Sequence, residues 1–489
     1  MVPSDPERTI GAAIALREAG RWDEAAAALD VALSQHPRNP RLWQTLGTVE
    51  RARERSAAAL AAFAEAARLS PADARAAHGV AQASLEAGRP ATALFEAAHR
   101  LAPADGSILL GRAAAQLAEG RADAAIAALD AVVAANPLWL DGQSTLARLK
   151  WMMGDDAGFT LGYVRAIQAS PRDLRLWTAL AEVLVNVERH DAAREVARNA
   201  RTATGIADVL LLVEASATSE LGELPAADAL FARLEGQGDI ATLEHRLRHL
   251  IRAGRADEAA VRAEPATALA GGERIWPYLS VAWRMTGDAR HAWLEGDPAL
   301  VSAIELDIDL RRLAERLRGL HRARRDPLGQ SVRGGTQTDG PLFAHESAEI
   351  QTARAAIVAA VERHVAGLGT VDPTHPTRRH IGRRFRFAGS WSVRLSGAGH
   401  HSPHVHPLGW LSSALYVALP TPEEMGAPPA GWLHLGEPPA ALASGLAPLR
   451  TIKPQPGRLV LFPSTMWHGT APIDGGERLT IAFDVAPIG

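Results

Sequence analysis

Residues 106–137 read GSILLGRAAAQLAEGRADAAIAALDAVVAANP, two alanine- and leucine-rich runs that are separated by Gly120 and closed by Pro137. Alanine and leucine are strong helix formers, whereas a glycine in a turn or a proline after a run ends a helix. The stretch therefore predicts a helix, a short glycine turn and a second helix. A pair of this kind buries its apolar face only against neighbouring pairs, so the fold it builds requires repetition.

The same two markers recur along the first three-fifths of the chain. Prolines that follow a helix-like run have successive gaps of 34, 32, 34 and 34, at Pro37, Pro71, Pro103, Pro137 and Pro171. Turn glycines have successive gaps of 68, 32, 34, 68, 32 and 33, at Gly20, Gly88, Gly120, Gly154, Gly222, Gly254 and Gly287. Each double gap predicts one repeat whose turn has lost its glycine, near Glu54 and near Glu188.

A period of about 34 residues with helix, glycine turn, helix and proline resembles the tetratricopeptide repeat. We count eight or nine repeats and expect residues 1–298 to form an α-solenoid with a concave groove. The resemblance implies that this groove binds a protein or peptide partner. The alternative is that the helices pack only on each other or on the C-terminal half. Docking of this kind is expected of the more degenerate repeats beyond about residue 200.

Composition excludes several classes of function. A chain of 489 residues predicts two or more domains, and its net charge of -3 argues against nucleic acid as the main partner. The absence of cysteine excludes disulfides, thiolate zinc sites and a cysteine nucleophile. No apolar run reaches the about 20 residues of a membrane span, and the start MVPSDPERTIG lacks a signal-peptide core. We therefore expect a cytoplasmic protein without a membrane partner, whose oligomeric state stays open.

The residue composition and the predicted secondary structure of the chain change after residue 298. A helix is predicted over residues 347–368, and short β-prone runs follow, among them RRFRFAGSWSVRL, WLSSALYVALP, RLVLFPS and RLTIAFDVAP. Their spacing is typical of an antiparallel sandwich or barrel. Of the 18 histidines, 11 lie from His321 onward, and such a concentration in a β-fold indicates a site. We expect a multidomain α + β protein in which residues 299–489 form a double-stranded β-helix, or jelly roll, with flanking helices.

The stretch GAGHHSPHVHPLGWLSSALYV, residues 397–417, carries the first candidate ligands. His404 and His406 are two residues apart, so on an extended strand both side chains leave the same face. His468 follows a later predicted strand. In a jelly roll an early histidine pair and a late histidine meet near the mouth of the barrel, where three imidazoles suit a metal with open positions.

Arg478 lies ten residues after His468 on the next predicted strand. Its guanidinium would point into the same cavity and bind a carboxylate through two parallel hydrogen bonds. Thr480 shares the face of Arg478 and offers a second donor. The alternative is a surface arginine that pairs with Asp474 or Glu477.

Residues 394–406, RLSGAGHHSPHVH, resemble the strand of prolyl-hydroxylase-type iron(II)- and 2-oxoglutarate-dependent oxygenases that leads into a His-x-Asp metal motif. His468 and Arg478 match the distal histidine and the basic residue of that family. The C-terminal half as a whole resembles bacterial 2-oxoglutarate oxygenases fused behind tetratricopeptide repeats. The resemblance implies a dioxygenase with Fe(II) held by His404, His406 and His468, with 2-oxoglutarate anchored by Arg478, and with a protein or peptide substrate that becomes hydroxylated.

Two positions depart from the family pattern. His406 stands where the family has the metal-binding aspartate, so the site becomes three histidines, or His406 hydrogen-bonds outside the ligand shell while water takes the third position. Leu395 stands where a prolyl hydroxylase has a tyrosine that holds the oxoglutarate. Tyr416, on the next predicted strand, is the candidate substitute, with core packing as its alternative.

Two other functions remain open. The run from Gly457 through Pro463 to His468 has the spacing of the second cupin motif, which fits a three-histidine metal dioxygenase that needs no 2-oxoglutarate. Against it, no glutamate follows His406 within four residues as the first cupin motif requires, and Arg478 would have no role. The other possibility is a non-enzymatic tetratricopeptide adaptor whose barrel lost its activity with the aspartate.

Four further side chains near the proposed ligands have a structural or a functional interpretation. His400 and His401 are expected in a glycine-rich turn, as loop residues or at the rim of the substrate pocket. Trp410 and Trp467 flank the ligands and either wall a substrate pocket or belong to the core.

Overall fold

The computed structural model describes residues 5–205, 208–236 and 238–488. Its first half consists of helix pairs whose first helices begin at nearly constant intervals along the chain. The paired helices are α1 (Pro6–Glu18), α2 (Trp22–Gln35), α3 (Pro40–Ala52), α4 (Ser56–Leu69), α5 (Ala74–Glu86), α6 (Thr92–Leu101), α7 (Gly106–Ala118), α8 (Ala122–Ala135), α9 (Leu140–Met152), α10 (Leu161–Ala169), α11 (Leu174–Asn186), α12 (His190–Thr204), α13 (Asp208–Glu220), α14 (Leu224–Ala232), α15 (Ile240–Arg252) and α16 (Ala256–Ala266). Helix α17 (Trp276–Thr286) follows as the last helix of the solenoid.

Left-handed backbone conformations mark the turns of these pairs. All seven turn glycines have φ between +72° and +90°. Glu54 and Glu188 adopt the same conformation, with φ of 55° and 59°, although a side chain makes it costly. The two repeats that were predicted to have lost their glycine are therefore confirmed. The backbone of these turns is therefore left-handed both where the residue is glycine and where it is glutamate.

The second half contains two antiparallel sheets that together form the double-stranded β-helix. The large sheet has the order β1-β7-β4-β9-β3-β2 and the small sheet the order β6-β5-β8. The strands are β1 (Ser302–Glu305), β2 (Val332–Gln337), β3 (Arg384–His401), β4 (Leu411–Ala418), β5 (Leu433–Leu435), β6 (Arg450–Ile452), β7 (Arg458–Pro463), β8 (His468–Thr470) and β9 (Glu477–Ile488). Tyr416 and Phe462 of the large sheet pack on Leu433 and Leu435 of the small one.

Two flanking helices, α18 (Leu310–Arg318) and α19 (Ala348–Gly367), cover the outer face of the large sheet. Successive side chains of a strand point to opposite faces, so the residues of β9 alternate between the apolar core under the helices and the cavity between the sheets. The β9 residues that pack on the helix side are Leu479, Ile481, Phe483 and Val485. The alternate residues line a cavity between the sheets: Arg478, Thr480, Ala482 and Asp484.

The C-terminal half docks along the edge of the solenoid that carries the turns. Each of the first six helix pairs contacts it at or beside its turn. The contacting partners are Asp23 with Arg384, Glu54 with Arg354, Arg89 with Glu346, the Ala118 carbonyl with Arg322, Asp156 with Arg325, and Glu188 with Arg333. Docking was expected of the later repeats, and it extends over the earlier ones as well.

The later repeats also contact the second half. Arg252 of α15 donates to the Ala441 carbonyl at 2.6 Å, and the Trp467 indole donates to the Pro277 carbonyl at 3.1 Å. The proposed boundary between residues 298 and 299 falls between α17 and β1. In the part of the chain that the structure describes, no helix combines the length and apolar character that crossing a bilayer requires.

Candidate metal centre

Three histidines converge at one end of the cavity between the sheets. The nearest ring nitrogens of His404, His406 and His468 all lie within 4.8 Å of one another. The ring centroids of His404 and His468 are 4.1 Å apart, and that of His406 is 5.0 Å from the first and 5.3 Å from the second. The convergence expected from the spacing is therefore present.

His404 and His406 do not lie on the regular strand that was expected. His404 forms a single bridge with His468, whose two N–H···O distances are 2.9 and 3.0 Å. His406 donates its backbone N–H to the Ser464 carbonyl at 2.9 Å. Pro403 and Pro407 have no N–H to donate, so a continuous ladder cannot form here. The two side chains still reach one centre because isolated hydrogen bonds fix the segment.

The expected glycine-rich turn before these histidines is also wrong, because residues up to His401 belong to β3. His401 pairs with Val332 of β2, and the glycines produce a bulge in the ladder instead of a turn. His401 is among the residues that line the cavity. Ser331 lies between His401 and His404, a position that sequence reasoning missed. Its hydroxyl oxygen is 3.1 Å from His401 Nδ1 and 3.2 Å from His404 Nε2.

Each candidate ligand forms a hydrogen bond through its Nδ1 atom, and this bond fixes the orientation of the ring. The acceptors are the Ser402 carbonyl for His404 at 2.8 Å, the Met466 carbonyl for His468 at 3.0 Å and the Asp484 carboxylate for His406. A histidine that donates through Nδ1 carries its lone pair on Nε2, which is the arrangement of metal-bound imidazoles. The set can therefore offer three nitrogen donors to one cation.

Burial disfavours the protonated form of His404 and His468. It lowers the pKa of His404 to about 3, with the neighbouring His406 acting in the same direction. Burial also lowers the pKa of His468 and of His401 well below the ordinary value, and the nearby histidines add to the effect. Near pH 7 protons therefore do not compete with a metal for the Nε2 lone pairs of His404 and His468.

Arg478 is 1% exposed and lies inside the barrel. One of its terminal nitrogens donates to the Gly431 carbonyl at 3.1 Å, while its Nε has no hydrogen-bond partner among the described residues. The surface alternative is wrong, because Glu477 pairs instead with Arg318 and Arg394. A buried guanidinium is costly when part of its hydrogen-bonding capacity is unused.

Thr480 and Tyr416 differ in their position relative to this cavity. Thr480 lines it beside Arg478. Tyr416 is fully buried in the apolar cluster between the sheets, with its ring 5.0 Å from the Arg478 guanidinium. Burial raises the pKa of Tyr416, and its hydroxyl has no partner among the described residues. Roles for both in holding 2-oxoglutarate stay predictions.

The tryptophans that flank the ligands belong to packing interfaces. Trp410 is buried on the helix side of the large sheet and donates to the Thr377 carbonyl at 2.9 Å. Trp467 packs edge-on against Tyr278 of the solenoid, with ring centroids 5.8 Å apart. The cavity wall is formed instead by Trp391, which stacks on His406 at 5.9 Å between centroids.

Two family models match the chain. Residues 389–484 match the model described as "Putative 2OG-Fe(II) oxygenase", and residues 6–49 match a tetratricopeptide-repeat model. The matched stretch contains the three histidines together with Arg478, so the family match and the geometry concern the same cavity. A comparison with curated proteins gave no match.

Solved structures similar to the chain include tetratricopeptide-repeat proteins. A thermophilic one from Thermus thermophilus is 21% identical over 37% of this chain and 100% of its own, with a TM-score of 0.29. One from Parabacteroides merdae is 18% identical over 48% and 94%, with a TM-score of 0.31. Yeast Tom70 is 15% identical over 56% and 61%, with a TM-score of 0.37. Similarity this low says nothing about function.

Proposed function

We propose that the C-terminal half is an Fe(II)- and 2-oxoglutarate-dependent dioxygenase that hydroxylates a protein or peptide. One observation carries the proposal: three histidines whose ring nitrogens lie within 4.8 Å of one another share a cavity with a buried arginine whose Nε has no hydrogen-bond partner among the described residues. The match of residues 389–484 to the oxygenase family supports the same conclusion.

His404, His406 and His468 would hold the iron. Imidazole nitrogen is a donor that suits Fe(II), and fewer than six protein ligands leave positions for co-substrate and oxygen. When bound, the iron would let dioxygen act as the oxidant that hydroxylates a C–H bond, while 2-oxoglutarate supplies two electrons and is converted to succinate and carbon dioxide. A site of three histidines also accepts zinc, nickel or cobalt, so metal identity needs direct measurement.

Arg478 and Thr480 would bind the carboxylate of 2-oxoglutarate that is remote from the iron. A hydrogen bond from a charged donor of this kind is worth about 1.5–3 kcal/mol, which favours a dicarboxylate over a monocarboxylate. Trp391 and Phe462 line the same cavity with aromatic rings. The ring of Phe462 lies 4.7 Å from that of His468.

The solenoid would recruit the substrate through a surface other than its turn edge. That edge is already occupied by the protein's own C-terminal half, at each of the first six helix pairs. Tetratricopeptide repeats generally mediate protein or peptide binding. The proposed partner is therefore a polypeptide that contacts the remaining faces of the repeats while it presents one side chain to the barrel.

Conversion of 2-oxoglutarate to succinate tests this function. Fe(II)-loaded protein in aerobic buffer should release succinate slowly without a substrate, and the His468→Ala variant should release none. His434→Ala is the matched control, because His434 bonds to Glu437 at 2.6 Å instead of joining the three histidines. Protein that binds iron but releases no succinate would favour the cupin-like function. Absence of metal binding would favour the adaptor.

A further inference from the structure

We propose that Asp484 is the carboxylate of this metal site and acts through His406 as a positioning residue. The inference rests on the proposed function, since it assigns a role at the same centre. Asp484 was missed by sequence reasoning, although it lies on the same face of β9 as Arg478 and Thr480.

Both oxygens of Asp484 are engaged. One accepts the hydrogen bond from His406 Nδ1, and the other accepts from the Ser412 hydroxyl at 2.7 Å. Ser412 is the residue directly opposite Asp484 in the β4–β9 ladder. The Ser412 hydroxyl also bonds to that of Ser464 at 3.0 Å, and Ser464 holds the backbone N–H of His406. The carboxylate and the imidazole are thus held by one network of hydrogen bonds that includes Ser412 and Ser464.

His406 alone among the three candidate ligands has an anionic partner. His404 and His468 donate to backbone carbonyls, which are neutral. His406 also occupies the position at which the resembled motif has its aspartate. In the resembled motif the carboxylate binds the metal directly. Here the carboxylate of Asp484 would lie behind His406, one side chain further from the metal. A carboxylate behind an imidazole fixes the ring and makes its other nitrogen a stronger donor.

The charge balance around Asp484 supports this role. Its side chain is 14% exposed, and no arginine or lysine of the described residues forms an ion pair with it. A largely buried carboxylate is unfavourable unless a positive charge lies near it, and its partner of this kind among the described residues is the His406 ring. A divalent metal bound to His406 Nε2 would place a positive charge on the other side of that ring. The same carboxylate would lower the net charge of a three-histidine metal site by one.

Cobalt(II) binding to the full-length protein measures the effect without any turnover. Asp484→Asn keeps the shape of the side chain and removes its charge, so we expect affinity to fall about 10- to 100-fold, with a shifted ligand-field absorption spectrum. Asp484→Glu restores the charge and should recover part of the loss. Asp474→Asn removes an equal charge from an exposed position outside the cavity and should leave affinity and spectrum unchanged.

The outcomes separate this inference from the function on which it rests. Wild-type binding together with unchanged affinity and spectrum in Asp484→Asn would overturn the role of Asp484 and leave the metal site standing. Failure of the wild type to bind Co(II) and Fe(II) would overturn both. If Asp484→Asn does not fold, Ser412→Ala decides: it frees one carboxylate oxygen and should weaken Co(II) binding several-fold, and unchanged binding would contradict the proposal.

Discussion

At the scale of single residues, the cavity is defined by Arg478, a buried arginine whose Nε has no hydrogen-bond partner among the described residues. Its neighbour on the strand, Glu477, forms ion pairs with Arg318 and Arg394 instead. An arginine of this kind is a binding residue whose contribution shows only when its ligand is present.

Arg478→Met should therefore weaken binding of 2-oxoglutarate while leaving the metal site intact. Loss of a charge-assisted pair of about 1.5–3 kcal/mol corresponds to roughly a 10- to 150-fold weaker Kd. Calorimetric titration of the Co(II)-loaded protein measures this, with Co(II) affinity as the internal control. Arg458→Ala, at the start of β7 where the arginine pairs with Glu305, should bind 2-oxoglutarate like the wild type. Equal affinity in Arg478→Met would remove this arginine from the site.

The spacing of residues along the chain located part of the site, and strand pairing located the rest. The convergence of His404 with His468 followed from the expected jelly roll, and the shared face of Arg478 and Thr480 followed from strand periodicity. The bond between Asp484 and His406 did not, because it joins residues 78 positions apart and depends on the register of β4 with β9. The alternation of β9 contained a signal for it, since Asp484 lies an even number of residues after Arg478.

At the scale of secondary-structure elements, the solenoid depends on turns that require a left-handed residue. The sequence predicted these turns well because glycine and the repeat period are local signals. It predicted the segment around His404 less well, because prolines and a bulge there override the pattern of a regular strand.

Gly120→Ala tests the requirement at a turn. Gly120 has φ of +77°, and an added Cβ would meet no atom within 4 Å, so the change isolates backbone strain. We expect a loss of about 1–2 kcal/mol in unfolding free energy. Gly11→Ala is the matched change inside α1, where the Cβ also meets nothing, and it should stabilise by about 0.5–1 kcal/mol. Urea denaturation measures both, and equal effects would contradict the account.

The packing of α19 on β1 predicts a dependence of stability on pH. His364 of α19 is 5% exposed and contacts the Ser302 hydroxyl at 2.9 Å, and burial lowers its pKa to about 4. The unfolded chain takes up this proton near pH 6.5, so stability present above that pH is lost as the pH falls toward 4. In metal-free protein His364→Gln should reduce this loss by about 2–3 kcal/mol. An unchanged pH profile in urea denaturation would contradict it.

At the scale of the whole molecule, the solenoid is a scaffold for its own C-terminal half. The sequence predicted both parts but not their arrangement, because the contacts lie between distant segments and use ordinary surface arginines. Arg325 illustrates this: its guanidinium lies 3.6 Å from the centre of the Trp151 ring, and the Trp151 indole donates to the Asp326 carbonyl at 3.0 Å.

Arg325→Ala should loosen this docking. Loss of the contact with the aromatic ring should cost about 1–2 kcal/mol. Backbone amides of residues 322–330 should then exchange with solvent faster, as measured by hydrogen–deuterium exchange mass spectrometry. Arg172→Ala, at an exposed position between α10 and α11, is the control and should leave exchange unchanged. Equal exchange in both variants would show that Arg325 does not hold the halves together.

The central claim is that one cavity holds Fe(II) and 2-oxoglutarate together. Anaerobic titration of the Fe(II)-loaded protein with 2-oxoglutarate, followed by visible absorption, tests it most directly. The account predicts a weak charge-transfer band of a chelated oxo acid, which glutarate, lacking the 2-oxo group, does not produce. It also predicts that the band is absent in His468→Ala and needs far more 2-oxoglutarate in Arg478→Met. Iron-loaded protein that gives no band at saturating 2-oxoglutarate would contradict the claim.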